Sequence, residues 1–262
     1  MSRTDLYSHY KNYYQPNNAV LSVAGDFKTN EMLARIQGIF GKILAGPIPP
    51  RITCPEPAVS GEHRLTVEGP GETIYLDISY HAPAANDPDF FPVTVLDSLL
   101  AGPSSLNMFG GGGTSNKTSR LYRGLVEKEL AVSVSGGLAA TADPFLYSVL
   151  IIVHPKRKPD EVLAAFDDEI KKLQDDLTPT AEITRAIKQA RALFAYGSEN
   201  ITNQAFWLGH AEMFDHYNWF LNYLENLAKV TPVELQKAAL KYLRPQNRVV
   251  GIYHPTGAEA RA

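Results

Sequence analysis

Residues 109–134 read FGGGGTSNKTSRLYRGLVEKELAVSV, and three structural signals follow one another along them. Gly110, Gly111, Gly112 and Gly113 reach backbone angles closed to other residues and let another chain come close to the main chain. Ser115, Asn116 and Ser119 are residue types that cap a helix start. Leu121, Leu125 and Val126 then give an apolar stripe at helical spacing, with Arg123, Glu127 and Lys128 on the wet side. Around Val132 and Val134 the period changes to two, which predicts a strand.

Downstream of this stretch, residues 145–153 are apolar on both faces, which predicts a central strand. Residues 159–177 form a strongly amphipathic helix with Val162, Leu163, Phe166, Ile170 and Leu173 inward, and Thr180 opens another. Residues 201–230 are aromatic-rich and mostly helical, with a break near Tyr217 and Asn218. Thr231 and Pro232 cap a last helix to Leu243, and residues 248–253 form the last strand.

Upstream, residues 90–100 are a helix stopped by Gly102 and Pro103, and residues 65–68 and 74–81 are two strands joined by the turn Gly69-Pro70-Gly71. Residues 4–14 read as a helix stopped by Pro16, residues 19–24 as a strand, and a second helix runs from Thr29 or Asn30 to Phe40. Between Gly46 and Gly61 lie Pro47, Pro49, Pro50, Pro55 and Pro57 with no periodicity, which predicts an extended, semi-rigid linker. Helices and strands mix without strict βαβ alternation. Short hairpin-like joins predict an α+β fold, an antiparallel sheet with helices packed on it.

The two ends of the chain repeat each other. Shifting by 229 positions pairs Leu6 with Leu235, Tyr13 with Tyr242, Pro16 with Pro245, Asn18 with Asn247 and Val20 with Val249. A shorter echo links Lys28-Thr-Asn-Glu-Met-Leu-Ala with Lys158-Pro-Asp-Glu-Val-Leu-Ala. A second unit that starts near His63 places most of a first copy ahead of Met1. The expected organisation is therefore residues 1–45 as the C-terminal remnant of a first domain, 46–62 as linker, 63–255 as a complete second domain and 256–262 as a tail.

Composition excludes several classes. Lys and Arg number 25 against 28 Asp and Glu, a net charge of −3, so no basic excess marks a nucleic-acid partner. Cys54 is the only cysteine, so there is neither an intrachain disulfide nor a cysteine-based zinc cluster. No apolar run is long enough to span a bilayer, and residues 2–15 are polar and tyrosine-rich, unlike a secretory leader. Residues 111–118 approach a phosphate-binding G-x-x-x-x-G-K-[ST] loop, but Asn116 stands where the second glycine is required. No G-x-S-x-G elbow surrounds Ser104 and Ser105, so a serine hydrolase is unsupported.

Four pieces, in order, carry a family resemblance: Tyr14-Gln-Pro-Asn-Asn to Val23-Ala-Gly-Asp-Phe, the Gly110 to Gly113 loop, Ser119-Arg-Leu-Tyr, and Glu127-Lys-Glu-Leu-Ala. The chain resembles the second half of peptidase family M16, the pitrilysin, insulinase and mitochondrial processing peptidase group, and the bacterial short-subunit branch most of all. The resemblance implies a LuxS/MPP-like metallohydrolase fold and a clamshell of two similar α+β domains that closes over an extended peptide. In such proteins the first domain carries an H-x-x-E-H zinc site, two histidines on one helix face with a glutamate that activates water. The second domain is the other wall.

Here His9, His63, His81, His154, His210, His216 and His254 include no such motif. Glu212 and Asp215 lie between His210 and His216, but six residues place those histidines roughly 240° apart on a helix. No metal is expected in this chain; the resemblance puts zinc in the missing N-terminal domain. Many second domains also carry an arginine and, seven residues on, a tyrosine that hold substrate. Leu125 and Val132 occupy those positions here.

The expected role is a zinc-free, catalytically inactive domain that encloses a peptide or unfolded protein, with the missing N-terminal domain and a second M16-like subunit as partners. A core-subunit-like structural or assembly module of the same fold is the alternative. Gly110, Gly111, Gly112, Gly113 and Asn116 are the candidate substrate contacts, through backbone groups that meet an extended peptide.

Overall fold

A computed structural model describes residues 1–50, 61–103 and 116–257. Five strands form one sheet: β1 (His63–Gly69), β2 (Tyr75–Ala82), β3 (Ala131–Leu138), β4 (Phe145–Val153) and β5 (Arg248–Pro255). Their order is β1-β5-β2-β4-β3. Antiparallel pairing dominates, as the alternation predicts, with one parallel pair, β1 and β5.

That order corrects the expected hairpin. β1 and β2 are neighbours in sequence, yet β5 lies between them and pairs with both. Residues 70–74 open the turn, with Gly71 at φ 136°, a backbone angle that suits only glycine. Val250, fully buried, is what the insertion gains: a β-branched core residue in the middle of the sheet.

Helices cover one face only. Leu76, Ile78, Tyr80 and Ala82 of β2 and Tyr147, Val149, Ile151 and Val153 of β4 point into it at the period of two. Helix α3 (Phe90–Leu100) lies at the centre, and ten of its eleven residues are buried, so its sequence shows little amphipathic stripe. Gly102, at φ 113°, ends it with help from Ala101 as cap. Helix α4 (Pro159–Asp175) starts with Pro159, carries Asp160 and Glu161 in its first turn, and buries the five apolar residues that its spacing predicts. Helix α5 (Thr180–Ser198) and the run α6 (Ile201–Phe214), α7 (Tyr217–Leu221) and α8 (Tyr223–Lys229) complete the layer with α9 (Pro232–Tyr242). The aromatic stretch breaks at Asp215 and His216, and Trp219 donates Nε1–H to the Ala85 carbonyl at 2.9 Å inside a cluster with Phe91, Phe214 and Tyr223.

β4 is central in pairing but not buried on both faces, because no helix covers the far side and Leu150 there stays exposed. After Ser119 the expected helix is short: it starts α-helically at Arg120 and Leu121, and its bonds widen to i→i+5 over Tyr122–Val126, a π-helical turn.

A seam of polar groups runs through the core beneath the sheet. Arg248 opens β5 with its side chain turned inward. It donates Nε–H to Glu62 at 2.7 Å, Nη2–H to Asp167 of α4 at 3.0 Å, and Nη1–H to the Tyr80 hydroxyl at 3.3 Å. Burial pushes Tyr80 up to about 12, although Arg248 pulls the other way. The ring of Tyr80 stacks near Tyr147, whose hydroxyl is pushed well above its ordinary value by burial and then by the Asp97 carboxylate on α3.

Residues 1–50 add no fully buried side chain to this core, although Ser22 packs against Gly209 of α6. Helices α1 (Arg3–Tyr13) and α2 (Thr29–Phe40) contain no buried residue. The strand expected at 19–24 forms no ladder: Val20, Leu21 and Val23 run extended and exposed, because no described strand lies beside them. The proline-rich segment 51–60 falls outside the described residues.

Candidate functional site

The uncovered face of the sheet is the candidate site. Pairing registers align it in three rows across all five strands. One row is Val67, Tyr253, Tyr75, Ile152 and Ser133. The next is Leu65, Gly251, Asp77, Leu150 and Ser135, and the third is His63, Val249, Ser79, Ser148 and Gly137.

Relief across these rows is low. Glycine and serine hold six of the fifteen positions, and only Tyr75 and Tyr253, edge to face at 6.0 Å between centroids, form a ridge. Asp77 is the one carboxylate in the three rows. The Ser79 hydroxyl donates to it at 3.1 Å and lies 2.7 Å from the Ser148 hydroxyl. Such a surface offers a flat seat with a single acidic point. Alternation in β2 shows this face in the sequence; the alignment of rows, and with it the neighbours of Asp77, does not follow from any one strand.

Asn116 lies outside the strands but is tied to the edge strand β3. Its Nδ2–H donates to the Val134 carbonyl of β3 at 2.9 Å, and its own carbonyl accepts from Ser119 N–H at 2.8 Å. Gly102 makes room for it: a Cβ there would sit 2.6 Å from the Asn116 Cβ. Gly110, Gly111, Gly112 and Gly113 lie outside the described residues. Leu125 is fully buried, while Val132 is exposed, and neither offers a polar group.

The histidines are dispersed. His210 sits in α6 among Phe206, Trp207 and Phe214, whereas His216 caps α7 by accepting Asn218 N–H at 3.2 Å on its Nδ1. Among the described residues no group of three His, Cys, Asp or Glu is placed to hold a metal ion. The described residues therefore do not fit a zinc ion. No described helix is long and apolar enough to cross a membrane.

Away from the open sheet face, a concavity is lined by Arg120, Arg123, Lys128, Lys172, Glu169 and Glu182. Its charges are largely matched: Arg120 pairs with Glu182 at 3.1 Å and Lys172 with Glu169 at 2.6 Å.

Comparison with known proteins agrees with this geometry. A family model described as the peptidase M16 inactive domain matches residues 1–190. An uncharacterized zinc protease of Mycobacterium leprae is 26% identical over 249 residues, which cover 93% of this chain and 52% of that protein. The chain spans about half the length of the curated relatives it matches. A protease from Helicobacter pylori shares the fold at a TM-score of 0.84 and 18% identity, over 97% of this chain and 60% of that one. A peptidase M16 inactive domain from Pseudomonas fluorescens shares it at 0.68 and 20%, over 88% and 52%.

Proposed function

Because this chain belongs to the peptidase M16 inactive-domain family, we propose that it is the zinc-free wall of a two-domain peptidase and encloses a peptide against a zinc-bearing domain. The open sheet face carries the reading. Helices cover the opposite side, and low relief with one carboxylate suits an extended chain of varied sequence better than a small rigid ligand. In sequence Gly110 to Gly113 shortly precede Asn116, which is tied to the β3 edge. Their backbone groups would meet the same peptide as an added strand, with Asn116 pinning the loop's exit. Catalysis in this proposal resides in the zinc-bearing domain or in a paired M16-like subunit, and residues 1–262 alone are proteolytically inert.

The test places a photo-cross-linking residue at Ser148 on the open face and, separately, at Lys171 on α4, in the product of the complete gene. An unfolded peptide substrate cross-links from Ser148 and not from Lys171. Equal labelling of both, or of neither, refutes the wall. Stoichiometric zinc or peptidase activity in the isolated chain refutes its inertness. A gene whose other half has no H-x-x-E-H favours an assembly module of the same fold.

A further inference from the structure

Strand β1 carries an open edge. It ends the five-strand order and, among the described residues, pairs only with β5. Six of its seven residues are exposed, because the helix layer stops short of it. Leu65 and Val67, on the open face of the sheet, are each 49% exposed. Such an edge is a template for a further strand, and its charges decide which strand fits.

The main-chain groups on that edge follow from the register. Gly61 N–H donates to the Gln246 carbonyl at 3.2 Å, and the Gly69 carbonyl accepts Thr256 N–H at 2.7 Å. In the parallel register with β5 these are the bonds of odd-numbered residues. Alternation along the strand therefore turns the N–H and C=O of Arg64, Thr66 and Glu68 outward.

These outward residues are symmetric about Thr66. An antiparallel copy of β1 with a two-fold axis at Thr66 sets Thr66 opposite Thr66, and Arg64 opposite Glu68 on either side of the axis. Each is a hydrogen-bonded pair that exchanges both N–H···O bonds. Opposite charges lie directly across from each other, and on the open face Leu65 meets Val67 at the non-hydrogen-bonded positions, where side chains come closest. Neighbouring registers fail. A shift of the axis to Leu65 sets Glu68 against Glu62, and a shift to Val67 sets Arg64 against Pro70, which has no N–H.

We propose that β1 is a self-association edge, along which two copies of this chain join their five-stranded sheets antiparallel about Thr66. Charge complementarity names a second copy as the occupant. Arg64 is held at the edge by Glu62 and, at 3.4 Å, by Asp160 of α4, while Glu68 makes no ion pair among the described residues. The second copy brings Arg64 to Glu68 and Glu68 to Arg64. The two open faces then run on as one surface, with Leu65 and Val67 of both copies along the seam. This pairing stands independently of what the open face binds.

Sedimentation equilibrium on the full chain tests it. The native chain shows a dimer mass at concentrations up to about 200 µM. Thr66→Pro removes an N–H that no bond within one copy uses, and gives a monomer with the native circular dichroism spectrum. Glu68→Arg sets like charges across both outer pairs and weakens the dimer about 10-fold, as does Arg64→Glu. Mixed in equal amounts, these two charge variants regain the native affinity, since every arginine again faces a glutamate. Where Thr66→Pro unfolds, the charge exchange alone decides. A native chain that stays monomeric at about 200 µM overturns the proposal. So does a dimer that survives Thr66→Pro, or charge variants that mixing does not rescue.

Discussion

Arg248 grips Asp167 across 81 residues of sequence, with both Nη atoms on both carboxylate oxygens, and so ties β5 to α4. The guanidinium is nearly solvent-free, at 2% exposure of its side chain, while Asp167 is half-buried. A buried charge of this kind stabilises only while its partners remain. Arg248→Met leaves Asp167 without its Arg248 partner and Glu62 with Arg64 alone, and lowers the unfolding free energy by about 3 kcal/mol, read by urea denaturation. Adding Glu62→Gln and Asp167→Asn to Arg248→Met restores part of that loss. If the triple variant is no more stable than the single one, the charge argument fails.

Glu62 also sets an acid limit. Burial pushes its carboxyl up, but hydrogen bonds from Arg64 and Arg248 outweigh this and hold it below its ordinary 4.5. Its contribution is therefore complete above 4.5 and drains away as the pH falls through the lower, folded value. Melting temperatures taken from about pH 6 down to about pH 3 fall less steeply for Glu62→Gln than for the native chain. Parallel curves would show that Glu62 is not coupled to folding.

Gly136 and Gly137 are adjacent in β3 and face opposite ways. A Cβ on Gly136 would lie 2.7 Å from Ala101 Cβ and also collide with the Asp97 carboxylate, while nothing lies within 4 Å of one on Gly137. Gly136→Ala is expected to cost about 1–3 kcal/mol. Gly137→Ala changes stability by less than about 0.5 kcal/mol. Similar losses for both would mean that strand entropy, not contact with α3, decides.

Ser2 and Thr231 make equivalent caps on unequal helices. Thr231→Ala removes the cap of α9, which buries Leu235, Ala238 and Ala239, and costs about 1 kcal/mol of global stability. Ser2→Ala frays α1, which buries nothing here, and leaves the unfolding midpoint of the isolated chain unmoved. A matching loss in Ser2→Ala would mean that α1 is part of the described core.

Trp219 is the aromatic anchor of the α6 to α8 region. Trp219→Phe keeps most of the ring packing but leaves the buried Ala85 carbonyl without its donor. The expected cost is about 1–3 kcal/mol. Unchanged stability would show that water replaces the indole.

Much of the fold was legible without coordinates. Val162, Leu163, Phe166, Ile170 and Leu173 mark the buried stripe of α4 by spacing alone, and Thr231, Pro232 and Glu234 mark the start of α9, because capping and amphipathic period are settled within a few residues. The open face of the sheet was legible only in half: alternation in β2 separates Leu76, Ile78 and Tyr80 from Tyr75, Asp77 and Ser79.

By itself the chain of residues determined the kind of most elements, the ends of several, the repeat between residues 2–26 and 231–255, and the lack of an H-x-x-E-H motif. Tertiary structure alone decided that β5 enters between β1 and β2, that Arg248 turns inward onto Asp167, and that residues 19–24 pair with nothing in the described sheet. The division has a physical cause. A helix bonds its own neighbours, whereas a strand must find its partner at a distance, and the same local geometry is core where that partner is present and exposed surface where it is not.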